Sequence, residues 1–153
     1  METDAQKRLK IICGALVVKA NKFVLVQEAQ QHCYGKWSFP AGHLEMQEDI
    51  ITATQREVKE ETNLSVNLDG LVGVYEYRSK RGNHIIKFIF KASVIEGSLR
   101  HGHEELLDAR WFSFEEFYQL KDAELRDQDM RQVIADYHTK PLKGLDTINV
   151  SFF

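Results

Sequence analysis

Two apolar runs near the start of the chain predict a β-hairpin. Residues 11–19 and 23–29 are rich in β-branched and aliphatic residues, and a polar segment centred on Asn21 separates them. Runs of this length and composition are typical of strands, and asparagine is favoured in the tight turn between them. Residues 37–40 predict a short strand that ends at Pro40, because proline donates no hydrogen bond to a sheet. A loop is expected after it.

The rest of the chain is predicted to mix strands with helices. Apolar residues recur with helical spacing over 48–62, and Asn63 follows where a helix commonly ends in a left-handed residue. Ser113 and Glu116 form a capping box that opens a short helix, and Asp127 is expected to cap a longer one. The remaining predictions are strands at 71–78, 85–95 and 109–114, helices at 114–120 and 127–137, and an apolar packed tail at 142–153. Together they indicate an α+β fold with a mixed sheet.

The helix predicted at 48–62 carries acidic residues on its apolar face. At about 100° per residue, Glu57 lies in the middle of the apolar stripe, and Glu60 and Glu61 lie within about 60° of it. Neighbouring carboxylates repel one another and are costly to bury, so we expect a positively charged partner. A hard divalent cation such as Mg²⁺ suits carboxylate oxygens. The alternative is a solvated acidic helix end with basic neighbours.

Composition and charge limit the class of protein. The chain has 153 residues, of which 43% are hydrophobic and 28% charged, and its formal net charge is −3. This fits one domain over 1–153, and the acidic excess argues against a binder of nucleic acid or of membranes, both of which need excess Lys and Arg. No apolar run approaches the ~20 residues that span a bilayer, no signal peptide is evident, and the cysteines form no disulfide framework. We therefore expect a cytoplasmic protein with neither a nucleic-acid nor a membrane partner.

The segment before the helix extends the pattern of spaced polar residues. Residues 37–45 are Trp-Ser-Phe-Pro-Ala-Gly-His-Leu-Glu, and the 42–64 segment as a whole resembles the Nudix box, the signature of Nudix hydrolases. The matching positions are Gly42, Glu48, Arg56, Glu57, Glu60 and Glu61. Only the last fixed glycine differs, and Asn63, which replaces it, tolerates the same left-handed conformation. The likeness extends over residues 11–142. Over this length the chain is similar to bacterial Nudix phosphatases that act on thiamin-type pyrophosphates and nucleoside di- and triphosphates.

This resemblance implies a fold and a reaction. The fold would be a Nudix-type α/β/α sandwich. The reaction would be Mg²⁺-dependent hydrolysis, with Mn²⁺ as a substitute, of a phosphoanhydride bond by attack of water on phosphorus. The substrate would be a small nucleoside di- or triphosphate or a thiamin-type pyrophosphate, and the protein a monomer or homodimer. Alternatives are a nucleotide-pool sanitising or RNA 5′-end pyrophosphohydrolase of the same family, or a non-catalytic Nudix module that senses nucleotides.

The resemblance also assigns roles to residues of the box. Glu57, Glu60 and Glu61 would hold the metal, with the carbonyl of Gly42 as a further oxygen ligand. Glu60 or Glu61 would also position or deprotonate the attacking water. Glu48 and Arg56 would form a second group of catalytic residues. Glu48 would bind Arg56, and this contact would tie the loop to the helix and orient Glu57, the adjacent metal ligand. The alternative for Glu48 is an exposed acid at the helix start.

Acidic residues outside the helix are further candidates. Glu45 is in the loop that leads to the helix and is expected to reach the metal cluster and its substrate; the alternative is that it is exposed to solvent. Glu105 or Glu104 precedes a predicted strand, in a region from which Nudix enzymes often recruit an additional acid. His101 and His103 lie nearby, but no third nitrogen or sulfur ligand accompanies them, so we expect them at the loop surface.

One lysine interrupts an apolar strand. By alternation, Lys87 shares a face with Ile85 and Ile89, where a charge is unusual. We expect it to bind a phosphate of the substrate. The alternative is a sheet-edge lysine whose ammonium reaches solvent. The basic tip of the same hairpin is expected to be a solvated turn outside the site; it consists of Arg78, Lys80 and Arg81.

Overall fold

A mixed sheet with helices on both faces forms the fold. The structure, a computed structural model, describes residues 7–102 and 104–151. Its strands are β1 (Leu9–Lys19), β2 (Lys22–Glu28), β3 (Trp37–Ser38), β4 (Ala41–His43), β5 (Ser65–Arg78), β6 (His84–Glu96) and β7 (Leu106–Ser113). Its helices are α1 (Ile50–Thr62), α2 (Phe114–Gln119) and α3 (Met130–Thr139).

The strands pair in the order β3-β2-β1-β6-β5, with β4 added to β1 and β7 added to β2. β1 and β6 run parallel, and the other pairs are antiparallel. Ala20 and Asn21 turn the β1–β2 hairpin with φ angles of 51° and 61°, which is the left-handed conformation that a two-residue hairpin turn requires. The predicted hairpin is therefore present.

Alternation along β1 sends side chains into two apolar layers. Leu16 joins a cluster with Phe117 of α2 and Ile134 of α3 on one face of the sheet. Val17 joins a second cluster with Val58 of α1 on the other face. The sheet therefore lies between helices, as the predicted α+β sandwich requires, with α1 on the face opposite α2 and α3.

Helix α1 begins two residues later than predicted. Asp49 is its N-cap, and its side chain accepts a hydrogen bond from the backbone N–H of Thr52 at 2.8 Å. A capping aspartate stands outside the helix because its own backbone is extended. Glu48 therefore lies in the loop before α1, where its side chain can turn back along the helix.

Several strands begin earlier than predicted, most of all β5, which begins at Ser65 and not at residue 71. Two other differences bear on the site. The loop expected after Pro40 contains β4, whose pairing with β1 runs from Ile12↔His43 to Gly14↔Ala41. Asp127 is not the cap of α3, which begins at Met130. The Asp127 carboxylate instead pairs with a lysine of β6, a long-range contact that overrides its local capping preference.

The tail packs only in part. Leu145 and Ile148 contact the apolar layer beneath α1, whereas Leu142 and Val150 are more than a third exposed. Phe152 and Phe153 lie outside the described residues. Within residues 7–102 and 104–151, the helices are all too short or too polar to cross a bilayer.

Candidate active site

Helix α1 presents its three C-terminal glutamates to one cavity of about 480 Å³. Val58 is fully buried against the sheet and fixes the rotation of the helix. Glu61 is then buried, Glu57 is half-buried and Glu60 is exposed, yet all three line the cavity. The structure thus places the glutamates on the face that the helical wheel predicted.

The C-terminal end of α1 is closed by its own cap and by a later loop. Asn63 has a φ of 65° and donates its N–H to the carbonyl of Lys59. Gly102 donates its N–H to the carbonyl oxygen of Glu61 at 3.2 Å. A Cβ at position 102 would overlap the carbonyl oxygen of Glu60, so only glycine allows this approach. These contacts satisfy carbonyls that a helix end otherwise leaves free.

Gly42 lies directly beneath the carboxylate of Glu57. It pairs with Cys13 across the β1–β4 ladder, which fixes its backbone. A Cβ at this position would overlap the Glu57 carboxylate. The absence of a side chain at Gly42 therefore lets the backbone of β4 lie against the carboxylate of Glu57.

Arg56 connects the loop before α1 to the glutamates of the helix. Its guanidinium donates to both oxygens of Glu48 at 2.6 and 2.9 Å. It also donates from Nη1 to Glu57 Oε1 at 2.8 Å and to Glu60 Oε2 at 3.3 Å. The bidentate bond to Arg56 lowers the pKa of Glu48, so Glu48 stays ionised and orients the arginine. The structure brings the predicted pair together; its role in catalysis stays a prediction.

Replacing Arg56 by alanine should lower both stability and activity. The change leaves Glu48 without its partner and frees the Glu57 carboxylate. We expect the free energy of unfolding to fall by about 2 kcal/mol or more, since each hydrogen bond to a charged group contributes about 1.5–3 kcal/mol. Urea unfolding and steady-state rates measure the two effects. Lys59→Ala, an exposed change on the same helix, is the control, and a variant that matches it in both measurements contradicts this role.

Burial sets the electrostatics of the two inner glutamates. Glu61 is 7% exposed, and this desolvation raises its pKa well above the ordinary value, with the negative charges of Glu28 and Glu57 adding to the effect. Desolvation also raises the pKa of Glu57, and the hydrogen bond from Arg56 opposes the shift. The region around Glu57 and Glu61 therefore has less positive charge than its carboxylates need for neutralisation.

The donor set fits a hard divalent cation. In the described part of the chain, Glu61 forms no ion pair with a basic side chain, and carboxylate oxygens are the ligands that Mg²⁺ prefers. Within those residues, no three His, Cys, Asp or Glu side chains are already arranged as a metal site. Arg56 donates to Oε1 of Glu57, which leaves Oε2 for the cation, whereas both oxygens of Glu60 accept from Arg56, so Glu60 would have to turn towards the cation.

A second buried acid of the cavity was missed from the sequence. Glu28, at the end of β2, is 4% exposed and lines the same cavity. It accepts hydrogen bonds from Ser38 Oγ at 3.0 Å and from Arg126 Nη1 at 2.7 Å. An acid at the end of an apolar strand was a visible signal, but its partner Arg126 lies 98 positions away in the chain.

Lys87 lines the cavity but is already paired. Its ammonium lies 3.1 Å from Asp127 Oδ2 and 3.3 Å from Asp129 Oδ1, and its side chain is 6% exposed. β6 lies between β1 and β5, so the alternative of a sheet-edge lysine that reaches solvent is wrong. Phosphate binding by Lys87 stays a prediction. A phosphate would have to compete with the two carboxylates for the ammonium.

Lys87→Met should therefore destabilise the fold. The substitution leaves Asp129, of which Oδ2 already lacks a hydrogen-bond partner, as a buried and uncompensated charge. Breaking a buried pair in this way costs about 3–5 kcal/mol. Urea unfolding measures the loss. Lys91→Met on the same strand removes a more exposed pair with Asp69 and should cost clearly less. Equal losses in the two variants would contradict the buried pairing.

The structure places the other candidates at the rim. Glu45 lines the cavity with its side chain 68% exposed and 3.8 Å from Arg56. Glu105 also lines the cavity and accepts a hydrogen bond from Gln30 Nε2 at 3.0 Å, whereas Glu104 does not reach it. His101 is exposed, as expected, and His103 lies outside the described residues.

The basic hairpin tip corrects one sequence expectation. Its cations were expected outside the site, but they line the cavity together with Lys10. The parallel pairing Lys10↔Ile85 places the start of β6, and so the turn before it, beside the start of β1. The cations concerned are Arg78, Lys80 and Arg81. This proximity between distant segments has no local signal.

Comparison with known proteins identifies the family. The model of the NUDIX domain matches residues 8–137. The chain belongs to the Nudix hydrolase family. A solved structure, described as a NUDIX hydrolase from Nitrosomonas europaea, superposes on this Nudix chain with a TM-score of 0.86 and 31% sequence identity, covering 94% of this chain and 97% of that one. The sequence resemblance and the α+β Nudix fold are thereby confirmed, and Nudix hydrolases generally use divalent metal ions.

Two curated relatives are named as phosphatases. The Nudix chain is 38% identical over 111 residues to the 8-oxo-dGDP phosphatase NUDT18 of Danio rerio, a match that covers 70% of this chain and 33% of that protein. It is 29% identical over 142 residues to the Phosphatase NudJ of Shigella boydii serotype 4, covering 90% of this chain and 92% of that one. The chain thus spans about a third of the length of the first curated relatives that it matches.

Proposed function

We propose that this protein hydrolyses a phosphoanhydride bond in a small nucleoside di- or triphosphate or a thiamin-type pyrophosphate, and that it requires Mg²⁺ or Mn²⁺. The observation that carries the proposal is the buried carboxylate of Glu61, which lies beside Glu57 in a cavity large enough for a small ligand. A protein pays a cost to bury such a group. A divalent cation with a bound diphosphate would offset that cost.

The hydrolytic step balances with groups that the site contains. A water oxygen attacks phosphorus, the bond from that phosphorus to the bridging oxygen breaks, and the leaving phosphate takes the electron pair. The proton of the water passes to Glu60 or Glu61, which are the candidate bases. A bound divalent cation would supply charge neutralisation on the diphosphate oxygens.

Arg56 and Gly42 prepare the site without touching the reacting atoms. The arginine holds the Glu57 carboxylate from one side, and the glycine leaves room for it on the other. Rigid placement of acidic ligands lowers the cost of assembling the transition state. Glu48 holds the guanidinium of Arg56 and therefore affects Glu57 only through the arginine.

The test is a panel of nucleoside di- and triphosphates, dinucleotides and thiamin pyrophosphate, with phosphate and pyrophosphate release measured separately. We expect turnover of at least one small substrate with Mg²⁺ and none with excess chelator. Turnover that returns with added Mg²⁺ or Mn²⁺ would separate metal loss from damage to the protein. Equal turnover with and without chelator would contradict the metal requirement.

Oxidised nucleoside diphosphates are a second candidate substrate class. The supporting observation is the 38% identity to a relative named as an 8-oxo-dGDP phosphatase. The panel should therefore contain 8-oxo-dGDP and dGDP as a pair. A kcat/KM at least tenfold higher for the oxidised member would favour this class, and equal values would favour general phosphohydrolysis.

A further inference from the structure

Arg126 is fixed in the wall of the cavity by contacts to two strands, β2 and β3. Its backbone N–H donates to the carbonyl of Trp37 at 2.9 Å, and Nη1 donates to Glu28 Oε1 at 2.7 Å. The same carboxylate oxygen accepts a hydrogen bond from Ser38 Oγ. The Glu28 side chain is 6% exposed. The guanidinium is therefore held by a buried acid that is itself held in place.

Most of the hydrogen-bonding capacity of Arg126 remains available. A guanidinium has about five N–H donors, and within residues 7–102 and 104–151 its side chain hydrogen-bonds only to Glu28. Its side chain is 33% exposed and lines the cavity. A fixed arginine with unused donors suits planar, multidentate recognition of phosphate.

Further basic residues line the same cavity as Arg126, among them Lys10 and Arg81. His32 and His43 both line the cavity. Burial lowers the pKa of His32, and Arg126 and Arg81 lower it further, with Glu28 opposing them. An anion entering this part of the cavity meets several cations, and Arg126 is held in place by a buried acid.

We propose that Arg126, seated on Glu28, binds a phosphate group of the substrate other than the pyrophosphate that α1 would hold. This inference rests on the proposed function and adds to it a preference for substrates that carry a third phosphate or another phosphate beyond the scissile pair. Glu28 is then a positioning residue, because it orients the arginine and does not touch the ligand.

Direct binding of inorganic tripolyphosphate in the presence of chelator tests the subsite without hydrolysis. Isothermal titration should show binding by the wild-type protein. The double variant Arg126→Met, Glu28→Gln removes the cation without leaving an unpaired buried acid, and it should bind at least tenfold more weakly, as expected for losing charged hydrogen bonds. Arg110→Gln is the matched control, since Arg110 is exposed on β7 and does not line the cavity; it should bind like wild type.

A second variant covers failure of the double variant to fold. Arg126→Lys keeps a charge beside Glu28 but loses the planar fork, and we expect binding at least threefold weaker and a smaller preference in KM for triphosphates over diphosphates. Wild-type affinity in a folded variant overturns the proposal, and so does absence of tripolyphosphate binding by the wild-type protein. Binding that depends on Arg126 in a protein that hydrolyses nothing in the panel would instead overturn the proposed function alone.

Discussion

Glu61→Gln should reduce kcat by at least ~100-fold, because the change removes a charge that acts in the transition state. The amide has nearly the shape of the carboxylate, so the cavity and its apolar neighbours are preserved. KM should change much less than kcat, since the loss falls mainly on the transition state. Steady-state rates on the best substrate of the panel measure both quantities.

The same substitution should stabilise the metal-free protein at neutral pH. Burial raises the pKa of Glu61, so between its ordinary and its raised pKa the folded state binds a proton that the unfolded state has released. Stability due to this group therefore falls as the pH rises through that range and stays lower above it. A glutamine carries no such penalty. Thermal melting with chelator at pH 5 and pH 8 should show a gain for the variant that is larger at pH 8.

Glu60→Gln is the matched control for this contrast. Glu60 belongs to the same helix and cavity but is exposed, so its replacement should leave the melting temperature nearly unchanged while it also lowers kcat by at least ~100-fold. Undiminished turnover in either variant removes that residue from the metal site. A Glu61→Gln protein that melts below wild type at pH 8 contradicts the cost assigned to its buried charge.

Gly42→Ala should produce the second large effect, a fall in kcat of about 10- to 100-fold. The new Cβ overlaps the Glu57 carboxylate, and the β1–β4 pairing prevents the backbone from moving away. The glutamate must leave its position beside Arg56. Crowding of this kind also costs about 1–3 kcal/mol of stability, which urea unfolding measures.

A double variant separates overlap from a general defect of β4. In Gly42→Ala, Glu57→Ala the carboxylate that the methyl group meets is absent, so most of the lost stability should return while activity stays low. The coupling free energy between the two sites then differs clearly from zero. Additive losses would mean that the alanine disturbs the sheet and that contact with Glu57 is incidental.

The part of the site carried by α1 could be predicted because its geometry is local. Helical spacing sets Glu57, Glu60 and Glu61 on one face, and Val58 reveals which face is buried. The start of the helix was misplaced by two residues because Glu48 and Asp49 are both acidic, and only hydrogen bonding to Thr52 distinguishes the cap. Local patterns of charge do not resolve such a choice.

The remainder of the site depends on contacts between distant segments. Arg126 meets Glu28 across 98 positions of sequence, and Lys87 meets Asp127 across 40. An isolated charge on an apolar strand indicates that some partner exists, and Lys87 was singled out on that ground. Nothing in its neighbourhood identifies that partner as a carboxylate rather than a substrate phosphate, since both satisfy the same ammonium. The partner of Lys87 is determined by the packing of α3 beside the sheet, which the local sequence does not show.

The most direct test of the central claim is hydrolysis of the best panel substrate in ¹⁸O-labelled water, followed by ³¹P NMR. With Mg²⁺ present, one product phosphate should carry a single ¹⁸O atom for each phosphoanhydride bond cleaved. Glu61→Gln and chelated wild-type protein should give almost no labelled product in the same time. Labelled product at the wild-type rate from Glu61→Gln, or cleavage without incorporation of ¹⁸O into phosphate, would contradict metal-dependent attack of water on phosphorus at this site.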